Sequence, residues 1–387
     1  MRVLLCPLSN PGYLYSTLAI GRELRARGHL VAVLCGPSAV GAVARAGLLA
    51  LNVEGYGPAG VLSVGSWHWV NEGAAQHAAV MGAARDIGAD VLVTSVLCHG
   101  ALLAAERLDL PAVVLGLAAW LWPYRGGGGE REEREWRLRE VRGFYDEIRS
   151  RAGLAPRRDR YPERPLLGAA FLLRGHPDLE PRGAELPGEV VHVGPCAWEP
   201  PPASGAVAQV GRRTREVGKP VVYVHLGRRF GGNSLWPRLN AAFTDGPLQA
   251  VVEVGRSGGA DPAPGADVLV VREPWMDPLV ATASLVLTNA TSAPVLAALR
   301  HGVPLVVAPN GSEQPVLAAA CRRAGVAVPL PDRPEQAGRS LALAHADQLL
   351  AHRARRLGAR LRASGGAAQA ARIVLAQCSS PVPADRR

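Results

Sequence analysis

Lysine is nearly missing from this 387-residue chain. Lys219 is the only one, so arginine carries almost all the basic charge behind the formal net charge of +10. That bias reads as a high-GC coding sequence rather than as chemistry. A positive chain suits a nucleic acid or a diphosphate equally well. No helix-turn-helix, zinc-finger or RNA-binding signature is present, so nucleic acid is not expected as a partner. Cysteine pairs at CxxC spacing are also missing. Cys6, Cys35, Cys98, Cys196, Cys321 and Cys378 are scattered, mostly in apolar runs, and read as reduced core cysteines of a cytoplasmic protein. No apolar run reaches membrane-spanning length, so no integral membrane contact is expected. The chain opens on a strand, Arg2 to Pro7, rather than on a signal peptide. No GxGxxG fingerprint follows that strand. No Asp-x-Asp lies at a strand end and no His/Cys cluster has ligand spacing, so neither a metal nor another cofactor is expected.

What is present is an α/β alternation running twice. Hydrophobic residues make up 48% of the chain, enough for two globular cores at this length. In the first run, Val3 to Cys6 is a buried strand, followed by a turn-forming loop, a helix from Leu14 to Arg27 stopped by Gly28, and a strand from Leu30 to Leu34. Later strands are predicted at Asp90 to Ser95, Pro111 to Leu115, Leu166 to Leu173 and Val190 to Val193. Helices are predicted at Glu72 to Ile87 and Glu130 to Arg151. Pro200 to Pro202 mark the best linker. The expected division is residues 1–199, a linker at 200–206, a second domain at 207–365, and a C-terminal helix from 366 with a frayed tail to 387. The second run begins with a strand from Pro220 to Leu226 that ends in Gly227. Arg228 and Arg229 follow, either as an anion clamp or as a solvent-facing basic loop. Pro334 to Arg360 and Gly366 to Cys378 are predicted to be helical.

The most informative stretch is Leu285 to Leu317. It reads as strand, helix and strand in parallel, with both loops on the side where such sheets bind ligands. Asn289, Thr291 and Ser292 stand in the first loop, and Asn310, Ser312, Glu313 and Gln314 in the second. Gly302, Val303, Pro304, Pro309, Glu313 and Gln314 match, in order and spacing, the donor-binding signature of nucleotide-sugar glycosyltransferases. The chain therefore resembles that family, the antibiotic and macrolide branch in particular. The segment ending Arg27-Gly28-His29 resembles another of its helices.

The resemblance implies the GT-B architecture, with two facing, doubly wound Rossmann-like domains. It implies an inverting transferase that moves a sugar, a deoxysugar in this branch, from a UDP or dTDP donor to a small natural-product acceptor. The donor side would be formed by Gly227, Arg228, Trp275, Asn289, Ala290, Thr291, Ser292, Asn310, Glu313 and Gln314. The acceptor side would be formed by Asn10, Gly12, Trp67, Trp69, Trp120 and Trp122. The loop from Tyr56 to Trp69 either lines that pocket or packs on its own domain. Several contacts depart from the family pattern. Its diphosphate-binding His falls on Asn289, the following glycines on Ala290 and Thr291, and its ribose-binding Glu on Ala297. The catalytic-base His falls on Tyr13 and the Asp that orients it on Ser95. A phenol with a reference pKa of about 10 is a poor base at neutral pH. His68, His99 and Glu72 are the substitutes in view. Two other functions stay open: different transfer chemistry on the same scaffold, and a catalytically silent binding or partner protein. The protein is expected to act as a monomer or homodimer.

Overall fold

The computed structural model of the chain describes residues 1–53, 66–125, 131–225, 232–254, 259–272 and 276–379; the side chains of 66–70, 232–233 and 379 lie outside that description. The chain divides into two compact units. The first comprises Met1–Gly175, Pro181–Pro200 and Ser364–Arg387, and the second His176–Glu180 and Pro201–Ala363.

The first unit is built on a parallel sheet of β1 (Arg2–Cys6), β2 (Leu30–Cys35), β3 (Leu49–Asn52), β4 (Val91–Ser95), β5 (Ala112–Leu115), β6 (Ala170–Leu173) and β7 (Val190–His192), in the order β3-β2-β1-β4-β5-β6-β7. Its helices are α1 (Pro11–Ala26), α2 (Pro37–Arg45), α3 (Ser66–Ile87), α4 (His99–Arg107) and α5 (Arg131–Arg151). Both faces of the sheet are covered, which explains why its strands read as unbroken apolar runs. Val3, Leu5, Val33, Val93 and Leu172 share one core with Leu18 and Leu24 of α1. The last helix of the chain, α13 (Gly366–Ser379), adds Ala370, Ala371 and Val374 to that same core.

The second unit carries β8 (Val221–His225), β9 (Gln249–Glu253), β10 (Val268–Val271), β11 (Leu285–Thr288), β12 (Leu305–Val307) and β13 (Ala327–Pro329), again parallel, in the order β10-β9-β8-β11-β12-β13. Its helices are α6 (Ala206–Val217), α7 (Trp236–Phe243), α8 (Met276–Val280), α9 (Ser292–His301), α10 (Gln314–Arg323), α11 (Pro334–Ala346) and α12 (Gln348–Ala363). Val222, Val224, Val252, Leu285 and Leu287 form one face of the sheet and pack with Trp236 and Leu239 of α7 and Leu341 of α11.

Several expected elements are corrected. Leu166 to Leu173 is not one strand, because Gly168 adopts a φ of 64° and a Cβ there would overlap the Ala112 carbonyl oxygen. Pairing begins only at Ala170. Pro334 to Arg360 is helical as expected, in two helices with a break at Asp347. The backbone of Asp347 leaves the helical region, and its carboxylate accepts from the amides of Leu349 (2.9 Å) and Leu350 (3.0 Å) to start α12. The helix expected from Glu72 starts at Ser66, so Trp67, His68 and Trp69 occupy its first turn rather than a loop.

One glycine fixes how α9 is held. A Cβ at Gly358 of α12 would overlap the carbonyl oxygen of Leu299 in α9. Gly358→Val should therefore cost about 1–3 kcal/mol of stability through overpacking against backbone. A urea midpoint equal to wild type would contradict this.

Candidate functional site

Each sheet reverses its strand order once. In the second unit the chain runs outward from β8 to β10, then returns to β11 on the other side of β8. Open parallel sheets bind ligands outside the carboxyl ends of the strands at such a reversal. The β11–α9 loop lies there. Asn289 is buried, and its Oδ1 accepts from the Thr291 amide (3.3 Å), the Thr291 hydroxyl (3.2 Å) and the Thr288 hydroxyl (3.4 Å). The Ala290 amide donates to Thr288 Oγ1 at 3.2 Å. Ala290 itself has a φ of 67°, where the resembled family has glycine. An L residue held there stores about 1 kcal/mol or more of strain. Thr291 stands at the N-cap of α9 without a side-chain capping bond. The first amides of α9, from Ser292, point toward the carboxyl edge of the sheet as anion donors.

The β12–α10 loop is equally constrained. Ser312 has a φ of 55°. Its hydroxyl donates to Glu313 Oε2 at 2.6 Å. Glu313 occupies the N-cap position of α10, yet its carboxylate makes no capping bond and stays partly exposed. Asn310 is exposed, and its amide donates to Gln314 Oε1 at 2.7 Å. Gln314 is fully enclosed, so its carbonyl closes the loop instead of meeting a sugar hydroxyl as expected. Its Nε2 is buried without an acceptor among the described residues. Gly227, Arg228 and Trp275 lie outside the described residues.

A feature the sequence reading missed stands beside the β11–α9 loop. His225 ends β8 and Glu253 ends β9, in register with each other, and His225 Nδ1 is hydrogen-bonded to Glu253 Oε2. On its other side His225 is in register with Thr288. The signal was available as a polar residue closing an otherwise apolar run, in VVYVHLG and QAVVEVG.

In the first unit the reversal falls between β1 and β4. Asn10 caps α1, its Oδ1 accepting from the Gly12 amide at 3.0 Å, with Pro11 in the first turn. Tyr13, partly exposed, follows in that turn, and its carbonyl accepts from Ser16 and Thr17 at 3.0 Å each. Buried Arg174, another charged residue closing an apolar strand, donates to the carbonyls of Gly12 (3.0 Å) and Gly116 (2.9 Å) and so fixes this edge. Ser95 is enclosed, and its Oγ accepts from the Leu8 amide at 3.4 Å.

Other candidates are not presented at that edge. His99 is 3% exposed, and its ring meets Tyr145 edge-on at 5.8 Å. Burial pushes its imidazole down to about 4. An enclosed ring lacks the reach a general base needs. Trp120 and Trp122 are core residues, packed on each other at 5.1 Å and edge-on to Phe171. They offer no face for stacking a ligand. The side chains of Trp67, His68 and Trp69 lie outside the described residues.

The two sheets and their helices define the GT-B fold, and comparison with known proteins agrees. The chain superposes on the glycotransferase of kitacinnamycin with a TM-score of 0.79 at 21% identity, covering 97% of this chain and 99% of that one. It superposes on the glycosyltransferase SsfS6 of Streptomyces sp. SF2575, solved with thymidine diphosphate, with a TM-score of 0.68 at 17% identity, covering 97% and 99%. Among curated proteins it is similar to 4'-demethylrebeccamycin synthase of Lentzea aerocolonigenes, 30% identical over 278 residues. That match covers 64% of this chain and spans 63% of the relative's length. No family model matches the chain. Among the described residues no helix is long and apolar enough to cross a membrane.

Proposed function

We propose that this protein is an inverting glycosyltransferase that moves a sugar, a deoxysugar by preference, from a dTDP or UDP donor to a small natural-product acceptor. One observation supports the reading: two polar loops, each with a non-glycine residue in the left-handed region, follow the neighbouring strands β11 and β12 of the second unit, the first of them at the strand reversal. The amides opening α9 would receive the diphosphate, with Asn289, Ala290, Thr291 and Ser292 shaping that loop. Glu313 and Asn310 would accept from sugar hydroxyls, while Gln314 holds the loop that carries them. The acceptor would lie at the carboxyl edge of the first unit, against Asn10, Gly12 and Tyr13. Its oxygen attacks the anomeric carbon, the bond from that carbon to the diphosphate oxygen breaks, and the acceptor proton leaves to a base. The thymidine diphosphate in SsfS6 and the name of the curated relative support dTDP and a natural-product acceptor. The six cysteines, all free, support a reducing compartment. The protein works in the cytoplasm, as a monomer or homodimer.

The enclosure of His99 and Ser95 favours one other reading, donor binding without transfer. Calorimetry with dTDP- and UDP-sugars tests the proposal, and failure of the folded protein to bind any of them would end it. Product analysis separates transfer from silent binding. Glu313→Ala is expected to lower transfer at least about tenfold, because a charged hydrogen bond contributes roughly 1.5–3 kcal/mol. The melting temperature should hold, since the carboxylate caps nothing. A lower melting temperature with unchanged turnover would make Glu313 structural.

A further inference from the structure

We propose that His225, oriented by Glu253, binds the diphosphate of the nucleotide donor; this deepens the transferase reading and rests on it.

The argument starts from strand geometry. Side chains alternate along a strand, and Val222 and Val224 belong to the core face shared with α7. His225 therefore projects from the opposite face, as do its in-register neighbours Glu253 and Thr288. All three end their strands at the carboxyl edge, and β8 and β11 are the two strands between which the order reverses. A ligand lodged at that reversal lies over His225 and the Thr288–Thr291 loop together.

The pair is open on one side only. The Glu253 side chain is 1% exposed and the His225 side chain 14%. A carboxylate only accepts, so Nδ1–H of His225 donates to it. Nδ1 and Nε2 lie on opposite sides of the ring, which turns Nε2 away from Glu253. With a carboxylate on one nitrogen, a proton on the other leaves the pair neutral as a whole. An N–H can then face an anion without burying a net charge.

Packing does not call for this pair. Its positions close two apolar strands, where hydrophobic residues of similar volume are often equally or more stable than a buried ion pair. The adjacent loop also leaves room for such a donor. Asn289 is neutral, and its Oδ1 is occupied by Thr288 and Thr291.

Calorimetry with dTDP and thymidine, repeated with UDP and uridine, on wild type, His225→Ala and Glu253→Gln tests the assignment, with thermal melts alongside. His225→Ala is expected to lower nucleoside diphosphate affinity about tenfold and to leave nucleoside affinity unchanged. Glu253→Gln should give a smaller loss of the same selectivity. If His225→Ala does not fold, His225→Phe, which keeps the ring volume without a donor, supplies the same comparison. Wild-type diphosphate affinity in the folded His225 variant overturns the assignment and leaves the transferase reading standing. An equal loss for the nucleoside also overturns it, by making the ring a packing surface under the base. A wild type that binds neither nucleoside diphosphate removes both.

Discussion

Glu106→Leu is expected to destabilise the first unit by about 3 kcal/mol, the scale for leaving a buried charge uncompensated. Glu106, near the end of α4, takes both guanidinium nitrogens of Arg149 in α5 at 2.8 Å each. Arg149 is buried, and besides that carboxylate it has the Ala155 carbonyl and the Tyr145 hydroxyl at 3.5 Å. Arg157 adds a second cation 3.4 Å from Glu106. Removing the acid strands a cation between α4 and α5. Exchanging both partners, in Glu106→Leu with Arg149→Met, should return most of the loss. Denaturant midpoints of the two single variants and the double variant give the coupling directly. A double variant as unstable as the sum of the singles would contradict the pairing.

Replacing His99 with leucine is expected to flatten the upper part of the acid unfolding curve. Burial pushes His99 down to about 4, while an unfolded histidine takes its proton near 6.5. Between those values the unfolded chain binds more protons than the native one, so stability falls as pH falls. The contribution is complete above about pH 6.5 and lost by about pH 4, roughly 3 kcal/mol in all. The carboxylates act lower. Burial pushes Glu106 and Asp277 up, but their basic partners outweigh it: Arg149 and Arg157 for Glu106, Arg300 and His301 for Asp277. Both end below the ordinary carboxylate value. Their contribution is therefore present above that value and lost only as pH falls through the lower folded one. Stability measured at intervals from pH 7 to 3 separates the two windows. A His99→Leu curve parallel to wild type between pH 6.5 and 4.5 would assign that limb elsewhere.

The sequence was legible where a single physical rule decides. Doubly covered parallel strands are continuous apolar runs, so β1, β4, β5 and β11 stand out, and the positions of the loops that follow them with them. It was less legible where one residue type serves two roles. Pro11 reads as a loop former but occupies the first turn of α1, where its missing amide costs nothing, so the helix begins three residues before Leu14. Asp347 reads as one more polar residue of a helix but caps the next one. Trp120 and Trp122 read as acceptor-side residues, and only the fold shows that Phe171 closes on them. The His225–Glu253 pair joins residues 28 apart in sequence, and register alone brings them together.

The placement of α13 has a consequence for synthesis. Ala370, Ala371 and Val374 belong to the core that β1 and α1 begin. Residues 201–363, nearly all of the second unit, are translated between the two halves of that core. The core that starts first is thus finished last. While it waits, apolar faces of α1 and its sheet stay uncovered on a chain that is still growing. The second unit, whose core lies almost wholly in one continuous segment, has no such wait and is free to fold as soon as that segment emerges.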